Sequence, residues 1–249
     1  LVYLTGELIN VPLDVLNVIA AAIELTHCYS LIHDDLPAMD NDDFRRGKPS
    51  CHKAYDEATA ILVGDGMQAF AIEILLSYLP PLLHPAQVIA VTRELVKASG
   101  MSGMISGQQL DLTELAQSSV SEEQLKHIHR LKTGQLISAC IEMVLSAQPL
   151  ISDIAKSSLR TFARHIGLVF QVQDDYLDHF GSANLLGKGR SSDTANQKTT
   201  FATLLTKEQL EKTIANQYQD AIDALQGFGD KANALIGLAR KLESRSCLN

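Results

Sequence analysis

The chain has 249 residues, 46% of them hydrophobic, enough to bury a large core in one domain without disulfide staples. With 21 Lys and Arg against 29 Asp and Glu the net charge is −8, which excludes the broad basic face that nucleic acid or an anionic membrane needs. Four scattered cysteines (Cys28, Cys51, Cys140, Cys247) form no CxxC pair, and no apolar run reaches the ~20 residues of a membrane span, so the composition predicts a cytoplasmic protein with reduced thiols and no stable membrane insertion.

Apolar residues recur at helical spacing almost throughout. Leu16, Ile19, Ile23, His27 and Leu31 fall three or four residues apart, predicting a helix over 13–36 that Pro37 ends. A loop follows through Gly47 and Pro49. A second long helix is expected over 55–79, stopped by Pro80 and Pro81. Its stretch from Ala60 to Leu76 comes nearest to a membrane span, but Asp65 and Glu73 interrupt it. Pro85 suits a first helical turn, and that helix runs to Ser99. Gly100, Gly103 and Gly107 then loosen the pattern. Ser121-Glu-Glu-Gln124 reads as a capping box opening a long helix through Ala147, and Thr206-Lys-Glu-Gln209 opens another. Between them Ser152 or Asp153 caps a helix through Phe180. Residues 181–198 are rich in Gly, Ser and Asn, a loop longer than a domain usually keeps without a function. No segment alternates clearly enough for a strand. The expectation is one all-α domain over residues 1–249, of about ten helices.

The acid is unevenly spread. Asp34, Asp35, Asp40, Asp42 and Asp43 form one cluster, and Asp174, Asp175 and Asp178 a second. The 21 acidic residues outside them equal the Lys and Arg count, so the rest of the chain is formally neutral. Gln171, Asp174, Asp175 and Asp178 share one helical stripe within an apolar helix bearing Ile166, Val169 and Phe170. Carboxylates one turn apart repel unless a cation lies between them, and a hard divalent ion held by aspartate oxygens resolves that cost better than a solvated acidic face would in such a helix. The first cluster repeats the design: His27, Leu31 and Asp34 share a stripe, and past Pro37 the chain can turn and bring Asp40 back. Arg45 and Arg46 follow, either as neutralising partners or as bidentate donors to a diphosphate. Neither cluster matches the twelve-residue calcium loop with its central glycine. Magnesium, which takes one or two carboxylates plus water and phosphate oxygens, fits better.

Ser30-Leu-Ile-His-Asp34-Asp-Leu-Pro-Ala-Met-Asp40-Asn-Asp-Asp-Phe-Arg45-Arg46-Gly-Lys-Pro resembles the first aspartate-rich motif of the trans-prenyltransferases, the polyprenyl synthetase family. Phe170-Gln171-Val-Gln-Asp174-Asp-Tyr-Leu-Asp178 resembles their second. Both occur in order, the resemblance covers essentially the whole chain, and it is strongest to the bacterial farnesyl diphosphate synthases of that family. Class I terpene cyclases share the fold but build their second metal motif on other residues. The resemblance implies a terpenoid-synthase-type helical bundle around a central cavity, and a homodimer. It implies that Asp34, Asp40 and Asp174 hold three Mg²⁺ ions, with Asp35 and Asp178 in or near the metal shell. Arg45, Lys132, Thr133, Gln171 and Lys188 would surround the allylic diphosphate, with Lys198 a second late lysine near it. His27 and Arg46 would help bind isopentenyl diphosphate. Gly107-Gln108-Gln109-Leu-Asp111 resembles a further active-site motif, although a Gln or Asp after glycines is more often a cap. The family also carries a Gly-Lys-Arg motif just before residues similar to Leu1-Val-Tyr. The expectation is that upstream residues are missing and that the chain as given binds its allylic substrate and fails to turn over.

The implied reaction is head-to-tail condensation of isopentenyl diphosphate with an allylic diphosphate, dimethylallyl and then geranyl. The expected product is fifteen-carbon farnesyl diphosphate, because Tyr29 lies five residues before Asp34, about 7.5 Å along a helix, where a bulky residue limits the growing chain in this family. Ser30 and Cys28 are small, which makes a twenty-carbon product the alternative. Loop 181–198 is the expected lid. Two other classes remain: a catalytically silent synthase subunit, and a metal-dependent phosphohydrolase suggested by His33-Asp34.

Overall fold

The structure is a computed structural model that describes residues 1–114, 120–180 and 199–247. The described chain is helical apart from one small hairpin. Helices α1 (Val2–Leu8) and α2 (Leu13–Asp34) come first. The hairpin pairs β1 (Phe44–Arg45) with β2 (Lys48–Pro49), and α3 (Cys51–Ala54), α4 (Glu57–Tyr78), α5 (Pro85–Ser99) and α6 (Met104–Glu114) follow. Then come α7 (Glu122–His129), a π-helical turn (Arg130–Gly134), α8 (Gln135–Ala147) and α9 (Asp153–Phe180). Short α10 (Phe201–Leu204), α11 (Lys207–Ala224) and α12 (Asn233–Glu243) close the bundle.

The ends of these helices are chemical. The Asp56 carboxylate accepts from the Thr59 N–H at 2.8 Å and starts α4. Ser121 with Gln124 and Thr206 with Gln209 form the two expected capping boxes, and Ser152 caps α9 by accepting from the Ala155 N–H at 3.2 Å. Three elements differ from expectation. Gly107 lies inside α6 rather than in a loop. The helix expected from Ser121 through Ala147 is interrupted by the π-helical turn, a feature invisible to a 3.6-residue period. The expected loop at Gly47 is a two-residue hairpin turn with positive φ at Arg46 (51°) and Gly47 (75°), too short to show alternation.

Helices α2, α8, α9 and α11 supply the core through Val15, Ile19, Ile141, Met143, Leu159, Phe162 and Tyr218, all fully buried. Helix α2 packs chiefly on α4, α5 on α8 and α9 on α11. The expectation that no segment suffices for a membrane span is corrected: α2 and α4 are each long and apolar enough by length and composition, because single acids such as Asp65 barely lower the mean hydropathy of 22 residues. Much of α4 faces outward, with Leu62, Leu76 and Tyr78 exposed.

Candidate active site

Both acidic clusters open onto one cavity of about 770 Å³, lined by Asp34 and Asp40 from one side and Asp174 and Asp178 from the other. Helix α2 ends at Asp34, and the chain after Pro37 doubles back so that the Asp40 N–H donates to the Asp34 carbonyl at 2.9 Å. This is the return expected of the first motif.

Asp35 does not join them. It is 2% exposed and absent from the cavity wall, because its carboxylate is gripped by the Arg45 guanidinium, with Nε at 3.0 and 3.2 Å from its two oxygens and Nη2 in closer contact. Asp35, expected in or near the metal shell, is thus in contact with Arg45, which does line the cavity. Arg46 is exposed at the hairpin turn and does not line the cavity. His27 does. Burial pushes its imidazole below the ordinary value, with Glu24 opposing and Arg46 and Arg45 assisting.

Lys132 sits in the π-helical turn, its Nζ 2.9 Å from Asp111 and 3.9 Å from Asp34. Burial opposes its charge, but Asp34, Asp111 and Asp40 outweigh burial and raise its pKa. Helix α6 reaches the turn at Gly107, where a methyl group would overlap the Lys132 backbone. Asp111, 4% exposed, thus lies at the site, and Gly107, four residues before it, was the legible signal. Burial raises the Asp34 carboxyl to about 6, Lys132 opposing and Asp40 and Asp111 reinforcing the rise.

In the second cluster Asp174, Asp175 and Asp178 all line the cavity, and the division is one of partners. Asp175, 5% exposed, accepts from the Phe201 N–H at 2.8 Å and from the Gln171 amide at 3.0 Å. Gln171 in turn accepts from the Thr133 hydroxyl at 3.1 Å, so the expected pair Thr133 and Gln171 is in direct contact. His129 stacks on Phe201 with ring centroids 5.5 Å apart, its Nε2 4.0 Å from Asp175. Sequence reasoning missed His129 and the anchoring part played by Asp175, since nothing in the spacing tells which aspartate of a pair is tied to the surrounding fold.

Tyr29 and Ser30 both line the cavity; Tyr29 is buried, and the Ser30 hydroxyl donates to the His27 carbonyl at 2.8 Å. His33 pairs with no second histidine: its Nε2 lies 3.1 Å from the Ile61 carbonyl of α4, which binds it to the helix packing. Lys188, Lys198 and the expected lid over 181–198 lie outside the described residues.

The donor set fits a hard divalent cation. Asp34 is a carboxylate whose buried charge Lys132 does not balance, and the aspartates lining the cavity, Asp34, Asp40, Asp174 and Asp178 among them, offer oxygen only. Magnesium takes such oxygens together with water and phosphate oxygens.

Residues 1–234 match the polyprenyl synthetase family. The chain is 44% identical over 228 residues to a farnesyl diphosphate synthase of Haemophilus influenzae, covering 91% of this chain and 76% of that protein. Among solved structures it is similar to a geranyltransferase from Legionella pneumophila, with 65% identity, a TM-score of 0.90, and coverage of 99% of this chain and 81% of that one. A geranyltransferase from Helicobacter pylori complexed with magnesium and isoprenyl diphosphate matches at 31% identity with a TM-score of 0.84, over 96% of this chain and 82% of that one.

Proposed function

The chain belongs to the polyprenyl synthetase family, and from that membership we propose how its cavity elongates an isoprenoid to farnesyl diphosphate. The reaction joins isopentenyl diphosphate to dimethylallyl diphosphate and then to the geranyl product. In each round an allylic C–O bond breaks, the isopentenyl π-bond forms a new C–C bond, and a proton leaves to the departing diphosphate. The observation that carries the reading is the convergence of Asp34, Asp40, Asp174 and Asp178 with Arg45 and Lys132 on one cavity.

Asp34 and Asp40 on one wall and Asp174 and Asp178 on the other are the residues that would hold magnesium, and three ions suit two facing clusters with a diphosphate between them. Held there, magnesium would supply Lewis-acid neutralisation of the diphosphate's charge. Arg45, aimed by Asp35, and Lys132, held by Asp111, add fixed cationic donors to the leaving group. The Thr133 and Gln171 pair orients it. Below the charged mouth, Leu136, Ile137, Ile166 and Phe170 present apolar surface that excludes water from the allylic cation. His27 lines the same cavity as a hydrogen-bonding ring for isopentenyl diphosphate. Tyr29, one and a half turns beneath Asp34, sets the stop for a fifteen-carbon chain.

The exposed stripe on α4 carries the second element of the reading, a homodimer. Leu62 (69% exposed) and Leu76 (52%) lie on one face of a helix whose other face packs on α2, and a second copy of the chain covers such a face without a membrane. The same reading takes the enzyme to be cytoplasmic, which its scattered cysteines suit.

The test is product chromatography of the full-length protein with dimethylallyl and isopentenyl diphosphates, with and without Mg²⁺. Magnesium-dependent farnesyl diphosphate supports the reading. Efficient release of phosphate from farnesyl diphosphate alone would instead identify a phosphohydrolase, and a twenty-carbon main product would move the stop from Tyr29.

A further inference from the structure

The stop at Tyr29 is not built by α2 alone. The Tyr29 hydroxyl accepts a hydrogen bond from the Gln68 amide of α4 at 3.4 Å. One turn along α2, His33 meets the Tyr29 ring edge-on, with centroids 5.9 Å apart and planes at 74°. His33 is itself fixed by α4: its Nε2 contacts the Ile61 carbonyl at 3.1 Å, and its ring lies over Gly64, where a methyl group would overlap it. The phenol is therefore held at its tip by Gln68 and at its edge by a ring that Ile61 and Gly64 hold. Gln68, half-buried, does not line the cavity.

We propose that Gln68 is a specificity-determining positioning residue, which keeps the Tyr29 ring across the end of the cavity and so fixes the length at which elongation stops. The inference rests on the reading of Tyr29 as that stop. A buried tyrosine has two side-chain torsions, and the packing around its ring leaves the hydroxyl tip as the point from which a growing tail can lever it aside. A tail one isoprene unit too long must displace the ring and break the bond to Gln68. One hydrogen bond of ordinary net strength biases such a choice by about fivefold. Helix α4 thus shapes product length from outside the cavity.

The experiment measures the ratio of twenty-carbon to fifteen-carbon product in the full-length protein supplied with geranyl and isopentenyl diphosphates. Gln68→Leu removes the donor and Tyr29→Phe removes the acceptor; each is expected to raise the ratio about fivefold. Because both cut the same bond, the double variant should raise it no further than either alone. Gln68→Glu, whose carboxylate accepts from the phenol, should restore the parental ratio. A general loss of fold would lower total turnover and leave the ratio where it was, so the ratio reports the proposed role. If Tyr29→Ala lengthens the product while Gln68→Leu does not, Gln68 is a bystander and the Tyr29 stop survives. If the effects of Gln68→Leu and Tyr29→Phe add, the two act independently and the proposal fails. If Tyr29→Ala changes nothing, the stop lies elsewhere and the Gln68 proposal falls with it.

Discussion

Lys132 and Asp111 form an ion pair 2.9 Å long that joins α6 to the π-helical turn, with Asp34 a further 3.9 Å from the same ammonium. The pair determines where a buried positive charge stands relative to the first aspartate of the first motif. Asp111→Asn keeps the shape and removes the charge, leaving Lys132 drawn toward Asp34 and away from the diphosphate. The kcat/KM for the allylic substrate should fall by about tenfold or more, and the loss should exceed that of an exposed Asp such as Asp43. Steady-state kinetics on the two variants checks this.

Asp174 and Asp175 both line the cavity, but Asp175 is also tied to the Phe201 N–H and the Gln171 amide, and substitution should separate the two. Asp174→Ala removes a carboxylate that lines the cavity, so magnesium binding measured calorimetrically with a non-hydrolysable diphosphate should weaken while thermal stability changes little. Asp175→Ala leaves the Phe201 N–H and the Gln171 amide without their buried acceptor, at a cost of about 1–3 kcal/mol each way of counting, and should lower Tm while metal binding survives. An equal loss of metal affinity in both would place Asp175 in the metal shell.

The long helices were legible because their caps and periods are local: Ser121 with Gln124, Thr206 with Gln209 and Pro85 mark starts that the fold keeps. The two aspartate motifs were equally legible, since their spacing alone puts them on stripes. What the sequence withheld was the direction of individual side chains. Asp35 and Asp175 follow Asp34 and Asp174 in identical dipeptides, yet each turns to a tertiary partner, Arg45 in one case and Phe201 in the other. The π-helical turn is likewise set by tertiary contact, with α6 pressed on it at Gly107, and no helical period encodes it.

The outward face of α4 predicts an oligomer. Leu62 and Leu76 lie about four turns apart on one stripe. Introducing charge with Leu62→Glu and Leu76→Glu together should convert a dimer to monomers in sedimentation equilibrium, because two buried carboxylates at a symmetric interface are doubled by the partner copy. The single-chain fold should persist, since both side chains are already exposed to solvent within one copy. A monomeric parent protein would overturn the prediction.

Magnesium should stabilise this protein more at neutral than at acid pH, and Asp34 gives the reason. Its carboxyl is raised from 3.8 to about 6, mainly by burial, with Lys132 opposing and Asp40 and Asp111 adding to the rise. A carboxyl with a folded value above its unfolded one stabilises the metal-free fold fully below the unfolded value, and that contribution is lost as pH rises through the folded value. The loss from this group amounts to about 3 kcal/mol by neutral pH. Metal-free Tm should therefore decline between about pH 4 and about pH 7, and Asp34→Asn should flatten that decline. Magnesium with a diphosphate binds the ionised carboxylate, so the Tm it adds should grow over the same interval. The Mg²⁺ concentration needed for half-maximal activity should rise as the pH falls toward and below about 6, because protons then compete with the metal for Asp34. A metal-induced gain in Tm that is independent of pH, or that persists undiminished in Asp34→Asn, would show that Asp34 is not where the cation's charge is balanced.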